Sequence, residues 1–246
     1  MKILVCISKT PDTTAKIAFK NDGKDFQADG IQFIMNPYDE WYALVRGLEL
    51  TEAQGGTVTV INVGTADNDT VIRKGLAIGA ADAIRINKDP EGAWDVAHQL
   101  AAQVKGQGYD LILLGKETID YNDSEVGATL AELLDLPYIS YGNKLEVSGT
   151  TATVSREIEG GTETMEVQLP VVISCAKGMA EQRIPNMKGI MTAKSKPLTV
   201  VEPAAVTSHV TLVTHTLPPA KKSVHMIAPE DTDELVRLLH EEAKVI

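Results

Sequence analysis

The sequence lacks the features of several protein classes, and each absence narrows what the chain can be. Of its 246 residues only two are cysteines, Cys6 and Cys175, and each lies within an apolar, strand-like run. A disulfide framework is therefore not expected, and both are predicted to be buried free thiols. No stretch approaches the ~20 apolar residues of a membrane span, and the first residues lack a signal-peptide pattern. We expect a cytoplasmic protein without direct membrane insertion.

Aromatic side chains and positive charge are also scarce. Aromatic residues make up 4% of the chain, so valine, isoleucine, leucine and alanine must build the core. The 23 basic residues are outnumbered by 34 acidic ones, which gives a formal net charge of -11. A basic footprint is the usual requirement for nucleic-acid binding, so no nucleic-acid partner is expected.

Familiar nucleotide and catalytic motifs are missing as well. The turn after the first strand is Ser8-Lys9-Thr10-Pro11, not a dinucleotide-binding glycine motif, and the sequence contains no P-loop. The five histidines show no metal-ligand spacing, and no base lies beside the serines of the strand ends. We predict no catalytic residue and no metal site. Asp120, Asp123 and Glu125 could form an acid–base pair, but acidic residues at a helix start are better explained by the helix dipole.

What is present is an alternation of strand and helix patterns over roughly the first 135 residues. This pattern predicts a mostly parallel sheet covered by helices, an α/β/α nucleotide-binding fold. The predicted strands are Lys2–Ser8, Ile17–Phe19, Ile31–Met35, Thr57–Val63, Asp82–Ile86 and Leu111–Leu114. The predicted helices begin at Asn36-Pro37 and Ser124 and cover Asp67–Ala80 and Ala93–Val104. Asn36 and Ser124 are expected to be N-caps.

The second part of the chain is less regular. A small antiparallel addition is predicted from Ile139 to Leu169, followed by a buried strand at Val171–Cys175. The segment Lys177–Lys196 carries five basic residues against one acidic residue, together with three methionines, which suits either a solvated loop or a partner-docking loop. An extended arm, Pro197–Pro229, and a terminal helix follow. We predict an α/β domain over residues 1–188, and an arm and helix over 189–246 that pack on a partner subunit.

The stretch Leu111–Thr129 has the order of an α/β ligand site. An apolar strand leads into an irregular polar loop and then into a helix start with unpaired backbone N–H groups. The loop is longer than the ~2–6 residues of an ordinary strand-to-helix connection. An ordinary connection remains the alternative at this point.

Several stretches together resemble the β subunit of electron-transferring flavoprotein. They are Lys2–Asp12, Met35–Asp39, Leu113–Asp120, Val154–Glu163, Leu169–Val172 and Ile190–Lys194. Each motif is weak alone, but they are collinear and extend over essentially the whole chain.

The resemblance implies an electron-carrier subunit that is not a catalyst by itself. It would pair with an α subunit carrying FAD, accept electrons from flavin dehydrogenases such as acyl-CoA dehydrogenases, and hold a structural AMP. One alternative is an electron-bifurcating β subunit with a second FAD in place of AMP and NADH nearby. Another is a stand-alone regulatory protein of the universal-stress type, which would need a glycine-rich phosphate loop late in the chain.

Residues matching the family's nucleotide pocket carry the expected cofactor contacts. They are Cys6, Asn36, Pro37, Tyr38, Asp39, Val63, Thr118, Ile119, Asp120, Tyr121, Asn122, Asp123, Ser124, Glu125, Val126, Gly127, Ala128 and Thr129. Ser124 and the N–H groups of the residues after it are expected to meet the phosphate. Gly127 is expected to permit close backbone approach. The bulk of Tyr121, where the family has smaller residues, favours AMP over FAD.

The basic segment matches the family's partner-recognition loop. Met187 stands where the resemblance places an apolar anchor, commonly leucine, and methionine replaces it with similar volume. The docking residues expected on this basis are Met187, Lys188, Ile190 and Met191.

Overall fold

The computed structural model describes residues 1–220 and 224–246, so positions 221–223 of the predicted arm lie outside the described residues. The described chain separates into two compact units. The first comprises Met1–Ile17 and Gln27–Val213, and the second comprises Ala18–Phe26 and Thr214–Ile246.

The strands and helices alternate along most of the first unit. The strands are β1 Lys2–Cys6, β2 Lys9–Pro11, β3 Phe19–Lys20, β4 Asp25–Phe26, β5 Phe33–Met35, β6 Thr57–Val63, β7 Asp82–Ile86, β8 Leu111–Gly115, β9 Tyr138–Ser148, β10 Thr151–Ile158, β11 Gly161–Gln168, β12 Val171–Cys175 and β13 Leu198–Val201. The helices are α1 Asp39–Gln54, α2 Asp69–Ile78, α3 Ala93–Val104, α4 Glu125–Leu134, α5 Met187–Ala193 and α6 Thr232–Arg237. The second unit holds β3, β4 and α6.

A nine-stranded sheet forms the centre of the first unit. Its strand order is β11-β10-β9-β12-β8-β1-β6-β7-β13. The strands from β9 to β13 in this order pair in parallel, while β9, β10 and β11 form an antiparallel extension at one edge. β8 and β12 are buried along their whole length, as expected for strands covered on both faces. The predicted fold class is confirmed.

Apolar side chains pack against both faces of the sheet. One core cluster joins Ile3, Val5 and Ile7 of the β1 region to the buried sides of α1 and α2. The other joins Leu4 and Cys6 to the buried sides of α3 and α4. Alternate residues of β1 therefore enter opposite layers, which is the period-two arrangement of a strand.

The long strand β9 extends beyond its parallel partner β12, so the carbonyl groups of its last residues are not paired with β12. The Arg46 guanidinium of α1 donates to the Leu145 carbonyl, and the Gln54 amide donates to the Val147 carbonyl at 2.9 Å. Arg46 lies in the middle of α1, and Gln54 is its last residue. The antiparallel extension is thereby fixed to the main layer, because buried backbone carbonyls need a donor.

The structure differs from the sequence predictions at three elements. Ser8-Lys9-Thr10-Pro11 was expected to be a turn, but Lys9–Pro11 pairs with Phe33–Met35 as a short antiparallel ribbon. The basic segment was expected to be a loop, but Met187–Ala193 is helical. Within the predicted arm, Leu198–Val201 is the edge strand beside β7. Each is a short element whose conformation depends on its packing partner, so its own sequence pattern is weak.

The second unit is small and loosely packed. The chain from Thr214 packs on the hairpin β3–β4. The His215 N–H donates to the Gly23 carbonyl at 2.8 Å, and the His215 ring stacks on the Phe19 ring with 4.7 Å between the ring centroids. The predicted terminal helix is present as α6, continued by a π-helical turn over Leu238–Ala243. Nowhere in residues 1–220 and 224–246 is a helix both long and apolar enough for a membrane crossing.

Candidate functional site

The candidate site lies at the carboxyl ends of the central parallel strands. There, residues 116–124 follow β8 and lead into α4, while Asn36–Tyr38 lead into α1. Ligands of open α/β sheets bind at this edge, because loops and helix starts converge on it. The predicted site loop and the predicted helix start therefore come together in space.

Asn36 joins these two segments. Its side chain is fully buried, its amide donates to the Glu117 carbonyl at 3.0 Å, and its carbonyl accepts from the Ile119 N–H at 3.0 Å. The prediction that Asn36 is the N-cap of the helix is wrong, because α1 begins at Asp39 with Tyr38 as its cap residue and no side-chain cap. Asn36 instead holds the site loop against the start of α1.

Four of the eight non-glycine residues with positive φ in the described part of the chain lie around this edge. Tyr38, Asn122, Ser124 and Tyr141 have φ values of 65°, 53°, 56° and 59°. Positive φ is unfavourable for residues other than glycine, and such conformations persist where the surrounding structure enforces them. Strained residues cluster at ligand sites, so this grouping supports the functional interpretation of the loop.

Ser124 stands at the cap position of α4 but does not cap it. Its hydroxyl donates to Glu117 at 3.3 Å and accepts from the Tyr141 hydroxyl at 3.3 Å, and its left-handed conformation leaves α4 without a side-chain cap bond. The prediction of Ser124 as a capping side chain is therefore wrong. The first N–H groups of α4 are the donors on which an anion could bind.

A buried carboxyl group lies beside the end of β1. Both Glu40 oxygens accept hydrogen bonds from Ser8, one from its N–H and one from its hydroxyl, each at 2.6 Å. Burial raises the pKa of Glu40 to about 8, against the opposing effect of the Ser8 hydrogen bonds. Glu40 is 4% exposed. It therefore joins the turn after β1 to the first turn of α1, and its burial favours the protonated form.

Lys116 brings positive charge to the site. Its ammonium group pairs with Glu117 and lies 3.9 Å from the Asp39 carboxylate. The hydrogen bond to Glu117 raises the pKa of Lys116. Burial raises the pKa of Asp39 to about 6, while Lys116 acts in the opposite direction. The charge of Lys116 thus favours the ionised form of Asp39, while burial opposes it.

A cavity of about 300 Å³ opens between these groups. Five of the predicted site residues line it: Pro37, Tyr38, Asp39, Ile119 and Asn122. Four residues that sequence reasoning missed complete the lining: Tyr42, Lys116, Glu117 and Lys177. Lys116 and Glu117 belong to the predicted loop but were not among the expected contacts, whereas Tyr42 and Lys177 have no local signal that marks them as site residues.

Other predicted residues lie away from the cavity lining. Cys6 and Val63 are buried in the core cluster on the α3–α4 side, and burial raises the pKa of the Cys6 thiol. Gly127 is buried, and a side chain there would collide with the Tyr138 ring, so Tyr138 occupies the space that was expected to admit a ligand. Tyr121 is 66% exposed and does not fill the site, so its bulk no longer argues for the smaller nucleotide.

The loop extends from β8 towards the end of β7. The pKa of Tyr121 is raised by partial burial and by the carboxylates of Asp120, Asp89 and Asp123, of which Asp89 follows β7. Asp120 also acts on the buried Glu40. The carboxylates of this loop therefore act on groups near the ends of β1 and β7.

The predicted docking residues form a separate exposed surface on α5. Met187 is 74% exposed, Met191 70% and Ile190 45%, and Ile184 before the helix is 80% exposed. Asn186 caps α5 by accepting from the Gly189 N–H at 2.8 Å. We call these four apolar residues the α5 ridge. Large exposed apolar groups of this kind mark interaction sites.

Comparisons with known proteins identify a family. Residues 25–206 match the family described as "Electron transfer flavoprotein domain". The chain is 36% identical to an electron transfer flavoprotein subunit beta of Bacillus subtilis, over 100% of both chains. It is 41% identical to one of Syntrophomonas wolfei, over 90% of this chain and 87% of the relative. It is 30% identical to the human protein of that name, over 100% of this chain and 99% of the relative.

Proposed function

The chain belongs to the electron transfer flavoprotein family as a β subunit, and we propose that it holds a structural AMP, completes a heterodimer with an FAD-carrying α subunit, and docks flavin dehydrogenases. In this role the chain itself carries no redox centre. Its residues bind a nucleotide, support the partner subunit and present a docking surface, so that electrons reach the flavin of the α subunit and then a downstream acceptor.

The size of the cavity is the observation that carries the AMP proposal. A volume of about 300 Å³ is at the lower end of the ~300–1,000 Å³ range of ligand pockets. A mononucleotide suits this space better than a dinucleotide such as FAD. Lys116 and Lys177 offset the charges of Asp39 and Glu117 in the lining, and the uncapped start of α4 offers backbone N–H donors for a phosphate.

The residues around the cavity would have different roles in nucleotide binding. Asn36 would keep the loop in its binding conformation through its two hydrogen bonds to Glu117 and Ile119. The Val126 N–H at the start of α4 would receive the phosphate together with the Ser124 hydroxyl. Because that hydroxyl bonds Glu117 in this structure, phosphate binding would replace one acceptor with another.

We expect the purified heterodimer to release about one AMP per β chain, and one FAD in all, on acid denaturation. Chromatography of the supernatant measures both nucleotides. The Asn36→Ala variant is the control for the site: it should lose AMP and retain the α-subunit FAD, because only the β-chain loop loses its anchor. Two FAD molecules per heterodimer with no AMP would instead establish the electron-bifurcating alternative.

A further inference from the structure

Hydrogen bonds in both directions join α2 to the helix that carries the α5 ridge and to the residues after that helix. Arg73 of α2 donates through one guanidinium nitrogen to the Ala193 carbonyl at 2.8 Å and to the Lys196 carbonyl at 2.6 Å. In return, the Lys196 ammonium donates to the Leu76 carbonyl at 2.8 Å and to the Ala80 carbonyl at 2.6 Å. These four bonds join the end of α5 and the residues after it to α2 and the residues that follow it. Both donors are charged, which strengthens such bonds.

The two helices also meet without an intervening side chain. A Cβ atom added at Gly189 would overlap the Ala77 carbonyl oxygen of α2. Glycine is therefore required at this position for the helices to approach as closely as they do. The contact places the backbone of α5 directly against α2, while Ala193 is buried at the same junction.

The chain entering α5 is fixed as well. The indole nitrogen of Trp41 donates to the Arg183 carbonyl at 3.0 Å, and the Arg183 guanidinium forms a bidentate pair with Glu52 at 2.6 and 3.0 Å. Both anchors come from α1. The segment before α5 and the segment after it are thus held by different helices of the main layer.

The result is a helix held through its main chain, with its large apolar side chains directed outwards. Met187 and Met191 remain more than two-thirds exposed, although the backbone that carries them is bound at both ends. Methionine side chains adapt to a partner surface, whereas a fixed backbone limits the entropy lost on binding. Adaptable side chains on a preorganised helix suit a surface that meets partners repeatedly and releases them.

We propose that Arg73 is a positioning residue for dehydrogenase docking, acting through the Ala193 and Lys196 carbonyls to hold the α5 ridge in its binding orientation. This inference rests on the docking role proposed above. Arg73 would not touch the dehydrogenase; its loss would free the end of α5 and lower the fraction of molecules in which Met187 is correctly placed.

The test uses the purified heterodimer and dehydrogenase-dependent reduction of its flavin. Arg73→Gln removes the charged donor, and we expect the apparent KM for the heterodimer to rise about fivefold with kcat unchanged, because docking and not electron transfer is affected. Arg73→Lys retains the charge and can reach one carbonyl, so its KM should lie between those of the parent and Arg73→Gln. Gly189→Ala should displace α5 from α2 by a steric clash with the Ala77 carbonyl, and it should therefore also raise KM.

A double-mutant cycle with Met187→Ala separates positioning from a general loss of stability. If Arg73 acts through the α5 ridge, Arg73→Gln should add little to the KM of Met187→Ala, because the anchor it positions is already absent. Arg156→Gln is the matched control. It removes the same charge from the β10 strand, where Arg156 bonds Glu163 and Ser140, and should leave KM unchanged.

The outcomes distinguish the two levels of the proposal. If Met187→Ala leaves KM unchanged, the docking function itself is wrong. If Met187→Ala raises KM but Arg73→Gln, like Arg156→Gln, does not, the docking function stands and the positioning role of Arg73 is overturned. The same conclusion follows if the effects of Arg73→Gln and Met187→Ala add in full. If Arg73→Gln does not fold, the Arg73→Lys and Gly189→Ala cycles decide by the same criteria.

Discussion

At the scale of single residues, Met187 has an unusual position for a large apolar side chain, with 74% of its surface exposed at the first turn of α5. We expect Met187→Ala to weaken dehydrogenase docking while AMP content and thermal stability stay as in the parent. Truncation of an interface anchor costs ~2 kcal/mol or more, which corresponds to about a thirtyfold rise in the dissociation constant. Titration of the dehydrogenase against the heterodimer measures this constant.

Lys188 lies beside Met187, and its replacement should have a different signature. Lys188→Glu reverses a charge at the edge of the docking surface, so we expect slower association with little change in dissociation. Because ions screen exposed charges, added salt should reduce the difference between Lys188→Glu and the parent. Stopped-flow association at two ionic strengths tests this. A salt-independent defect would show that Lys188 contributes a buried contact.

The protonation of Glu40, which joins the turn after β1 to α1, makes the free energy of unfolding depend on pH. Its pKa of about 8 lies above the ordinary value of 4.5, so the folded chain binds more protons than the unfolded chain between these values. Stability from this group is therefore fully present below pH 4.5 and is lost as pH rises through about 8. The slope approaches about 1.4 kcal/mol per pH unit where only the folded state is protonated.

Glu40→Gln should remove this pH dependence. The amide reproduces a protonated carboxyl, accepting from the Ser8 N–H and donating to the Ser8 hydroxyl in place of the two bonds seen here. We expect the parent to lose stability relative to Glu40→Gln between about pH 5 and 8, with a constant difference above that. Thermal unfolding of the heterodimer across this range measures it. Parallel profiles of parent and variant would mean that Glu40 is ionised in the folded state.

At the scale of elements, the approach of α1 to β8 sets the width of the site. A Cβ atom at Gly115 would lie 2.9 Å from Glu40 Cγ and 3.1 Å from Asp39 Cβ, both in the first turn of α1. Gly115→Ala should displace that turn at a cost of ~1–3 kcal/mol, because overpacking a close contact forces the backbone to shift. AMP content should fall with it, since Tyr38 and Asp39 line the cavity.

Gly161 offers a matched control for that substitution. It lies at the start of β11, is exposed, and has no atom within 4 Å of an added Cβ. Gly161→Ala should leave both the unfolding temperature and the AMP content unchanged. Equal unfolding temperatures for Gly115→Ala and Gly161→Ala would contradict the close contact described here.

Elements with strong periodic patterns matched their predictions, and weakly patterned ones did not. Thr57–Val63, Ala93–Val104 and Val171–Cys175 have the predicted bounds. In contrast, α5 and β13 were assigned to a loop and an arm. α5 has seven residues and β13 has four, so their pattern is brief, and their conformation is stabilised by α2 and β7.

At the scale of the whole molecule, the second unit buries little. Within its described part, no residue from Thr214 to Ile246 is buried, and Leu217, Val236 and Ile246 are each more than half exposed. Ordered apolar segments without a buried face need cover from another chain. This favours the proposed packing of the arm and terminal helix on the α subunit.

We expect the β chain expressed alone to be poorly soluble or unstable, and co-expression with the α subunit to correct this. The apolar residues of the second unit would be exposed in the lone chain and covered in the heterodimer. Soluble yield and sedimentation velocity compare the two preparations. A monodisperse, fully folded lone chain would contradict the proposed role of these residues.

The hydrophobic periodicity and the collinear motifs predicted the α/β fold, the bounds of its strongly patterned elements, and the family, because both are local properties of the chain. Tertiary structure decided what the site residues do. Asn36 holds a loop 81 residues away in sequence rather than capping its own helix, Lys177 enters the cavity from the end of a different strand, and Arg73 holds carbonyl groups 120 and 123 residues away. These pairings depend on which strand ends the sheet topology brings together, and no local pattern encodes that.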